Sequence, residues 1–350
     1  MIENYKIVCN TAAGRRRYMQ YLIPQVISCD VVDRYDIWVN TTDKQDIEFF
    51  KILATKYSKI SLVYQPDGVV NGIASINAFY KSCVEEDVIY FKLDDDIVWL
   101  EPGLIEKMVR FRIDNPDYFL VSPLVINNAI STYLLQVSGK LSLDRYYRSN
   151  TMCDTLWRSG EFAAQLHEHF LNNYLKTAKY EQLHCGTHPV AMCRFSINAI
   201  LWFGREMQKF GGIVPGDDEE WLSSIKPTEL GMSNCFNGDA IVSHFAFFTQ
   251  RKMLDKRIIL QKYGELLHRE WNKDVKMKSI NDEVQSVLEY VEQNKELILN
   301  QSNIYKLIPS NKKTLKSLIG DLRIPVITFK SIRRLKLYFC SFKSDSQYIK

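Results

Sequence analysis

The sequence predicts an α/β fold: a mostly parallel sheet with helices on both faces, followed by a helical C-terminal extension. Three observations predict it. Short runs of β-branched and aromatic residues alternate with helix-length segments over the first hundred residues. Polar clusters follow these runs at Arg15–Arg17, Asn40–Asp43 and Asp94–Asp96. Residues 251–298 show amphipathic helical spacing throughout. Strand–helix alternation gives a parallel sheet with covered faces, and ligands gather at the carboxyl ends of its strands. The three polar clusters are therefore expected along one edge.

The elements follow in order. Lys6–Cys9 reads as the first strand, ending in the small-residue turn Asn10-Thr11-Ala12-Ala13-Gly14. A helix runs on to about Ile27, and Pro24 is expected to interrupt or bend it. Tyr35–Val39 is the second strand, and Thr42 or Asp43 caps a helix to about Tyr57. Ile60–Tyr64 is the third strand, with a turn at Gln65-Pro66-Asp67-Gly68. Ile73–Cys83 reads as a helix and the run from Val88 as the fourth strand. Pro102-Gly103 open a helix to about Ile113, ended by Asn115-Pro116, and Tyr118–Val121 is a further strand. Within 127–185 one helical stretch is expected near Glu161–Tyr180. Ala199–Gly204 is an apolar run, and Ala240–Phe248 is a strand with His244 in its middle.

Composition places the chain among soluble globular proteins, at 46% hydrophobic and 25% charged residues. No run of 18 apolar residues predicts a spanning helix, and the first residues lack a secretory pattern. Eight cysteines without a C-x-x-C pair fit reduced thiols and a cytoplasmic location. The net charge of +4 is uneven. Residues 303–350 hold eleven Lys or Arg against two Asp, a net +9, which leaves −5 for the rest. With large apolar residues interleaved, this tail fits an anionic membrane surface better than nucleic acid. The competing expectation is that it packs on the protein.

The chemistry centres on Lys92-Leu93-Asp94-Asp95-Asp96. Three carboxylates ending a buried strand repel one another and lose hydration. A divalent cation would compensate, since Mg²⁺ and Mn²⁺ take carboxylate oxygens together with substrate phosphates. The alternative is a solvated acidic turn. A second acidic run, Asp217-Asp218-Glu219-Glu220, follows the Gly-rich loop Gly211–Gly216 and opens a helix. One acid suffices for capping. No G-x-G-x-x-G follows the first strand, so a standard dinucleotide fingerprint is absent. The segment His184-Cys185-Gly186-Thr187-His188 offers a zinc reading with three irregularly spaced ligands.

This ordered set of early acids, a late Gly-rich acidic helix start and a later His resembles the GT-A fold glycosyltransferases, most of all the broad family 2 type. The resemblance covers about residues 5–250. It implies a catalytic domain over 1–250, with a nucleotide-sugar half to about 125 and an acceptor half over 126–250. A helical extension (251–302) and a basic amphipathic tail (303–350) lie outside it. It also implies that Asp94 and Asp96, with His244, hold Mn²⁺ or Mg²⁺. Thr11, Arg15, Asn40, Asp43, Asn71, Lys92, Asp94 and Asp95 would face the nucleotide-sugar donor. Asn71-Gly72 with Asn77 is similar to the family's Asn/Gly helix. Gly216-Asp217-Asp218 is similar to the family's helix start, with Asp in place of Glu, so the acceptor-side base stays open among Asp217, Asp218 and Glu220. The implied function is a metal-dependent transfer of a sugar from a nucleotide-diphosphate sugar to a glycan or lipid-linked acceptor, in surface polysaccharide or glycoconjugate synthesis. No nucleic-acid partner is expected, and the enzyme would sit in the cytoplasm or peripherally on the inner face of a membrane. Two other readings stand beside it: a metal-dependent nucleotidyltransferase, with Gly14-Arg15-Arg16-Arg17 as part of a phosphate loop, and a non-catalytic sugar- or nucleotide-binding module.

Overall fold

The computed structural model describes residues 1–66, 68–70, 73–301, 308–309 and 347–349. The first part of the chain runs β1 (Lys6–Ala13), α1 (Arg16–Ile27), β2 (Arg34–Val39), α2 (Lys44–Lys56), β3 (Ile60–Tyr64), β4 (Val69–Val70), α3 (Ile73–Tyr80) and β5 (Val88–Leu93). Then come β6 (Ile97–Leu100), α4 (Leu104–Asp114), β7 (Val121–Ile126), α5 (Ala129–Val137), α6 (Gly160–Phe170), β8 (Thr187–Val190), β9 (Ala199–Phe203) and α7 (Gly204–Gln208). The rest is α8 (Asp218–Glu220), α9 (Lys226–Leu230), β10 (Asn234–His244), α10 (Arg251–Lys256), α11 (Ile259–Trp271), α12 (Val275–Gln293), α13 (Lys295–Asn300) and β11 (Ile308–Pro309).

The fold is mixed α/β and Rossmann-like, with a helical C-terminal part. The main sheet has the order β3-β2-β1-β5-β9-β7-β10-β6, with β8 on β10. The pairs β3–β2, β2–β1 and β1–β5 are parallel, as the strand–helix alternation requires. β9 runs antiparallel between β5 and β7, and β6 antiparallel to β10. Alternate residues of β5 feed two cores. Ile89, Phe91 and Leu93 face the core shared with α2, α4 and α12, while Val88 and Tyr90 face the one shared with α5, α6 and α11.

Several expectations are corrected. Pro24 lies inside α1 and does not interrupt it, since the helix continues to Ile27. The strand expected over Tyr118–Val121 begins at Val121, because the Leu120 amide goes to the Asn234 side chain at 3.1 Å. The strand expected over Ala240–Phe248 begins at Asn234 and stops at His244. Asn237-Gly238-Asp239 hid its start: they form a bulge that shifts the register between Asn237 and Ile241. The helix expected over Glu161–Tyr180 ends at Phe170 and continues as a π-helical turn to Leu175. α5, β6 and β8 were not anticipated. Among the described residues no helix is long and apolar enough to cross a membrane. Asn71 and Gly72, and the tail apart from 308–309 and 347–349, lie outside the described residues.

Candidate metal centre and active site

The turn Asp94-Asp95-Asp96 links β5 to β6 and is held by three backbone bonds. The Asp94 amide donates to Asn198 O (2.9 Å), Ile97 to Asp94 O (3.1 Å) and Phe245 to Asp96 O (2.8 Å). A carboxylate turn inside the sheet would otherwise be driven outward. Its neighbours instead satisfy each acid differently. Asp95 accepts from the Gly14 amide (3.0 Å) and the Arg15 side chain, so β1's end and the turn meet as the edge expectation requires. Asp96 lies 3.0 Å from Arg15, 3.3 Å from His244 and 3.6 Å from Arg251. Asp94 accepts from Lys92 and from Asn198 Nδ2 (3.0 Å).

Burial is the largest influence on both inner acids and pushes their pKa values up. For Asp95 it wins and the pKa is raised despite Arg15. For Asp96 the fields of His244, Arg15 and Arg251 outweigh burial and hold the carboxyl well below its ordinary value. Asp96 is therefore a fixed carboxylate.

Asp94, Asp96 and His244 each offer one ligand atom, and these atoms lie within 4.8 Å of one another. This group can hold a divalent cation. The fit is supported by the imidazole's orientation. His244 Nδ1 donates to the Asn127 carbonyl at 3.3 Å, which turns Nε2 towards Asp96; with a cation bound, that nitrogen would be the ligand atom. A register shift between Ser243 and His244 re-aims the ring at the β10 end. Two carboxylates and one imidazole suit Mn²⁺, and Mg²⁺ through the oxygens.

The second acidic run lies across Lys92. Asp217 is the N-cap of α8: its carboxylate accepts from the Glu220 amide at 3.2 Å and is half exposed. Asp218 turns inward, is 9% exposed, and accepts from the Tyr80 hydroxyl at 2.9 Å. Burial raises its pKa, against the opposing effects of Lys92 and the Tyr80 hydrogen bond. Glu220 is exposed and 3.5 Å from Arg194, which also pairs with Asp217 (2.8 Å) and Glu219 (3.0 Å). Lys92 is buried, bonded to Ile197 O at 2.9 Å. Burial opposes its charge, but Asp94 and Asp218 prevail and raise its pKa. It is thus a buried ammonium within the fields of both acidic runs. The Gly-rich loop is fixed by Asn77, which donates to Gly216 O at 2.9 Å.

The other donor-side residues lie as follows. Thr11 is fully buried with its hydroxyl 2.9 Å from Tyr35. Asn40 lies at the end of β2, its amide on Ala13 O (2.8 Å) and its side-chain oxygen buried without a partner among the described residues. Asp43 caps α2 through the Gln45 and Asp46 amides. The zinc reading is not met. His184 Nε2 faces Glu101 at 3.1 Å and His188 Nε2 takes Cys185 O at 2.8 Å, so these rings do not converge. Sequence reasoning missed Arg251, Asn127, Asn198, Tyr80 and Arg194. Each lies in a segment read as helix, core or connection, and none carries a motif.

No family model matches the chain, and no curated protein matches it. Among solved structures it is similar to CMP:2-keto-3-deoxy-manno-octonic acid synthetase complexed with CTP, at 10% identity and a TM-score of 0.40, over 74% of this chain and 99% of that one. It is similar to 4-diphosphocytidyl-2C-methyl-D-erythritol synthase from Anaerococcus prevotii, at 13% identity and a TM-score of 0.38, over 74% and 98%. It is also similar to mannose-6-phosphate isomerase from Helicobacter pylori, at 10% and 0.31, over 72% and 88%.

Proposed function

We propose that the chain is a metal-dependent glycosyltransferase that takes its sugar from a nucleotide-diphosphate donor. The observation that carries this reading is the pairing of a cation-ready group, Asp94, Asp96 and His244, with a separate buried carboxyl, Asp218, across Lys92. Mn²⁺ or Mg²⁺ held by the first group would neutralise the diphosphate leaving group. Asp218, rather than the capping Asp217 or the exposed Glu220, would accept the proton of the acceptor hydroxyl as its oxygen bonds to the anomeric carbon. The bond from that carbon to the diphosphate oxygen breaks, and the nucleoside diphosphate leaves with the electron pair. The acceptor would be a glycan or a lipid-linked sugar. The basic tail would hold the enzyme peripherally on the inner face of a membrane.

A second reading, nucleotidyl transfer, is favoured by one observation: Arg15, next to Gly14 at the end of β1, reaches the same carboxylates and could meet a nucleoside triphosphate. One experiment separates the readings. The protein is incubated with Mn²⁺ and a panel of nucleotide sugars, or of nucleoside triphosphates with sugar phosphates. Metal-dependent release of nucleoside diphosphate supports glycosyl transfer. Release of pyrophosphate sinks it in favour of the second reading. Binding without turnover over both panels leaves only a binding module.

A further inference from the structure

Each of the three consecutive arginines after β1 has its own carboxylate. Arg16 pairs with Asp46 at 2.7 Å, Arg17 with Asp255 at 2.5 Å, and Arg15 with Asp95 and Asp96. A fourth arginine, Arg251, opens α10 in the helical extension and, among the described residues, has no carboxylate of its own. Its Nη2 lies 3.6 Å from Asp96 Oδ2, the same oxygen that Arg15 holds at 3.0 Å. Arg15 Nη1 and Arg251 Nε are both buried and have no hydrogen-bond partner among the described residues. Unpaired buried donors are costly, and on a guanidinium they call for an anion. Both side chains are about one third exposed overall, which puts the two guanidiniums near the surface although the unpaired nitrogens themselves are covered.

The geometry points to Arg15 and Arg251 as a two-sided clamp for a diphosphate group, seated beside the Asp94–Asp96–His244 centre. The charges support it. Asp95 and Asp96 balance the two guanidiniums only while no cation competes for Asp96. Were a divalent cation held there, Asp96 would be shared with it, and Arg251, which touches no other carboxylate among the described residues, would have charge left for an anion. Arg15 spends its Nε and Nη2 on Asp95 and has Nη1 left, whereas Arg251 Nε is unpaired, and guanidinium edges match phosphate oxygens in pairs. The helical extension, outside the region covered by the glycosyltransferase resemblance, thereby supplies part of the site. The assignment of the diphosphate to a nucleotide sugar rests on the proposed function; the clamp itself does not.

The test uses the full chain and two probes, Mn²⁺ alone by electron paramagnetic resonance and inorganic pyrophosphate in excess MgCl₂ by calorimetry. Arg251→Gln should weaken pyrophosphate binding about tenfold or more, the loss expected for one charged hydrogen-bonding group. It should tighten Mn²⁺ binding, because a cation next to Asp96 has gone. Arg251→Lys keeps the charge without the fork and should lose less pyrophosphate affinity, which keeps the test decisive if the Gln variant fails to fold. Weakening of both probes together, or unchanged pyrophosphate binding, overturns the clamp. A wild type that binds Mn²⁺ but no pyrophosphate overturns it and leaves the metal centre standing. Wild type that binds pyrophosphate through these arginines, yet turns over no nucleotide sugar, supports the clamp and removes the proposed function.

Discussion

His244 Nε2 lies 3.3 Å from Asp96 Oδ1, and its Nδ1 is committed to the Asn127 carbonyl. A ring fixed in this way cannot turn its Nε2 elsewhere, so the two side chains would act together on a cation. His244→Phe keeps the ring packed against Phe247, 4.7 Å away, and removes only the nitrogen atoms. It should weaken Mn²⁺ binding more than about tenfold, the scale on which even indirect partners of a metal matter, with near-ultraviolet dichroism preserved. Unchanged Mn²⁺ affinity would remove His244 from the centre. Asp96→Ala should abolish metal-dependent turnover, and full transfer in excess EDTA would refute the metal requirement. Asp96→Ala is the harsher variant, because it leaves Arg15 with Asp95 alone and Arg251 without a counter-ion.

Asp218→Asn tests the base. The cap of α8 belongs to Asp217, so the amide at 218 leaves the helix start intact. Turnover should fall about 10²–10⁴-fold, the usual contribution of a positioned base, while donor affinity stays near wild type. A loss chiefly in donor affinity would contradict the assignment.

The pH profile gives an independent check on the same residue. Burial raises the Asp218 pKa, so the base is lost at higher pH than an ordinary carboxylate would be. Tyr80 donates to Asp218 and holds that pKa down. Tyr80→Phe should therefore move the acid limb of the rate profile to higher pH. A limb that stays put, or moves down, means that Asp218 does not set it.

His167 makes stability depend on pH. It is fully buried, between the Tyr263 hydroxyl at 2.9 Å and Phe245 O at 2.8 Å, and burial pushes its pKa down to about 3. The folded chain keeps it neutral where the unfolded chain protonates it, so the unfolded state binds the extra proton between about pH 6.5 and pH 3. The stability contributed by His167 is full above pH 6.5 and is lost as pH falls through that window, at up to about 1.4 kcal/mol per pH unit. Denaturant titrations of wild type and His167→Gln at pH 7 and pH 5 read this directly. Equal losses in the two proteins would contradict it.

The parallel half of the fold was legible because its signals are local. The run at Ile60–Tyr64 and the one that starts at Val88 lie where the sequence puts them, and of the two caps it offers, Thr42 and Asp43, Asp43 is the one used. The acidic turn was legible for a related reason: three charges at the end of an apolar strand conflict with burial unless something meets them. The half with mixed pairings was not. β10 is interrupted at Asn237-Gly238-Asp239 by a bulge held by partners far away in sequence. Arg251 and Asn127 were invisible for the same reason. Their roles come from contacts 155 and 117 residues away, with Asp96 and His244, and no local spacing encodes these.

The C-terminal tail is tied to the body. Its final residues dock on the body. Tyr348 packs edge-on against Phe162 with ring centroids 5.6 Å apart, its amide donates to Gln165 at 2.9 Å, and its carbonyl accepts from the Asp144 amide at 2.7 Å. β11 pairs with β4, so the tail meets the body near both of its ends. Tyr348→Ala should cost about 1 kcal/mol, the scale of an aromatic pair, and urea melts measure it. The basic residues between these anchors, within a tail of net +9, are expected to bring the intact chain down with vesicles containing anionic lipid. High salt should release it, because exposed charges are screened. A chain ending at Gln301 should stay folded at reduced stability, keep donor hydrolysis and ignore the vesicles. If the intact chain ignores anionic vesicles at low salt, the membrane role fails. If the shortened chain unfolds, the docked ends belong to the core and the tail is a structural part of the domain.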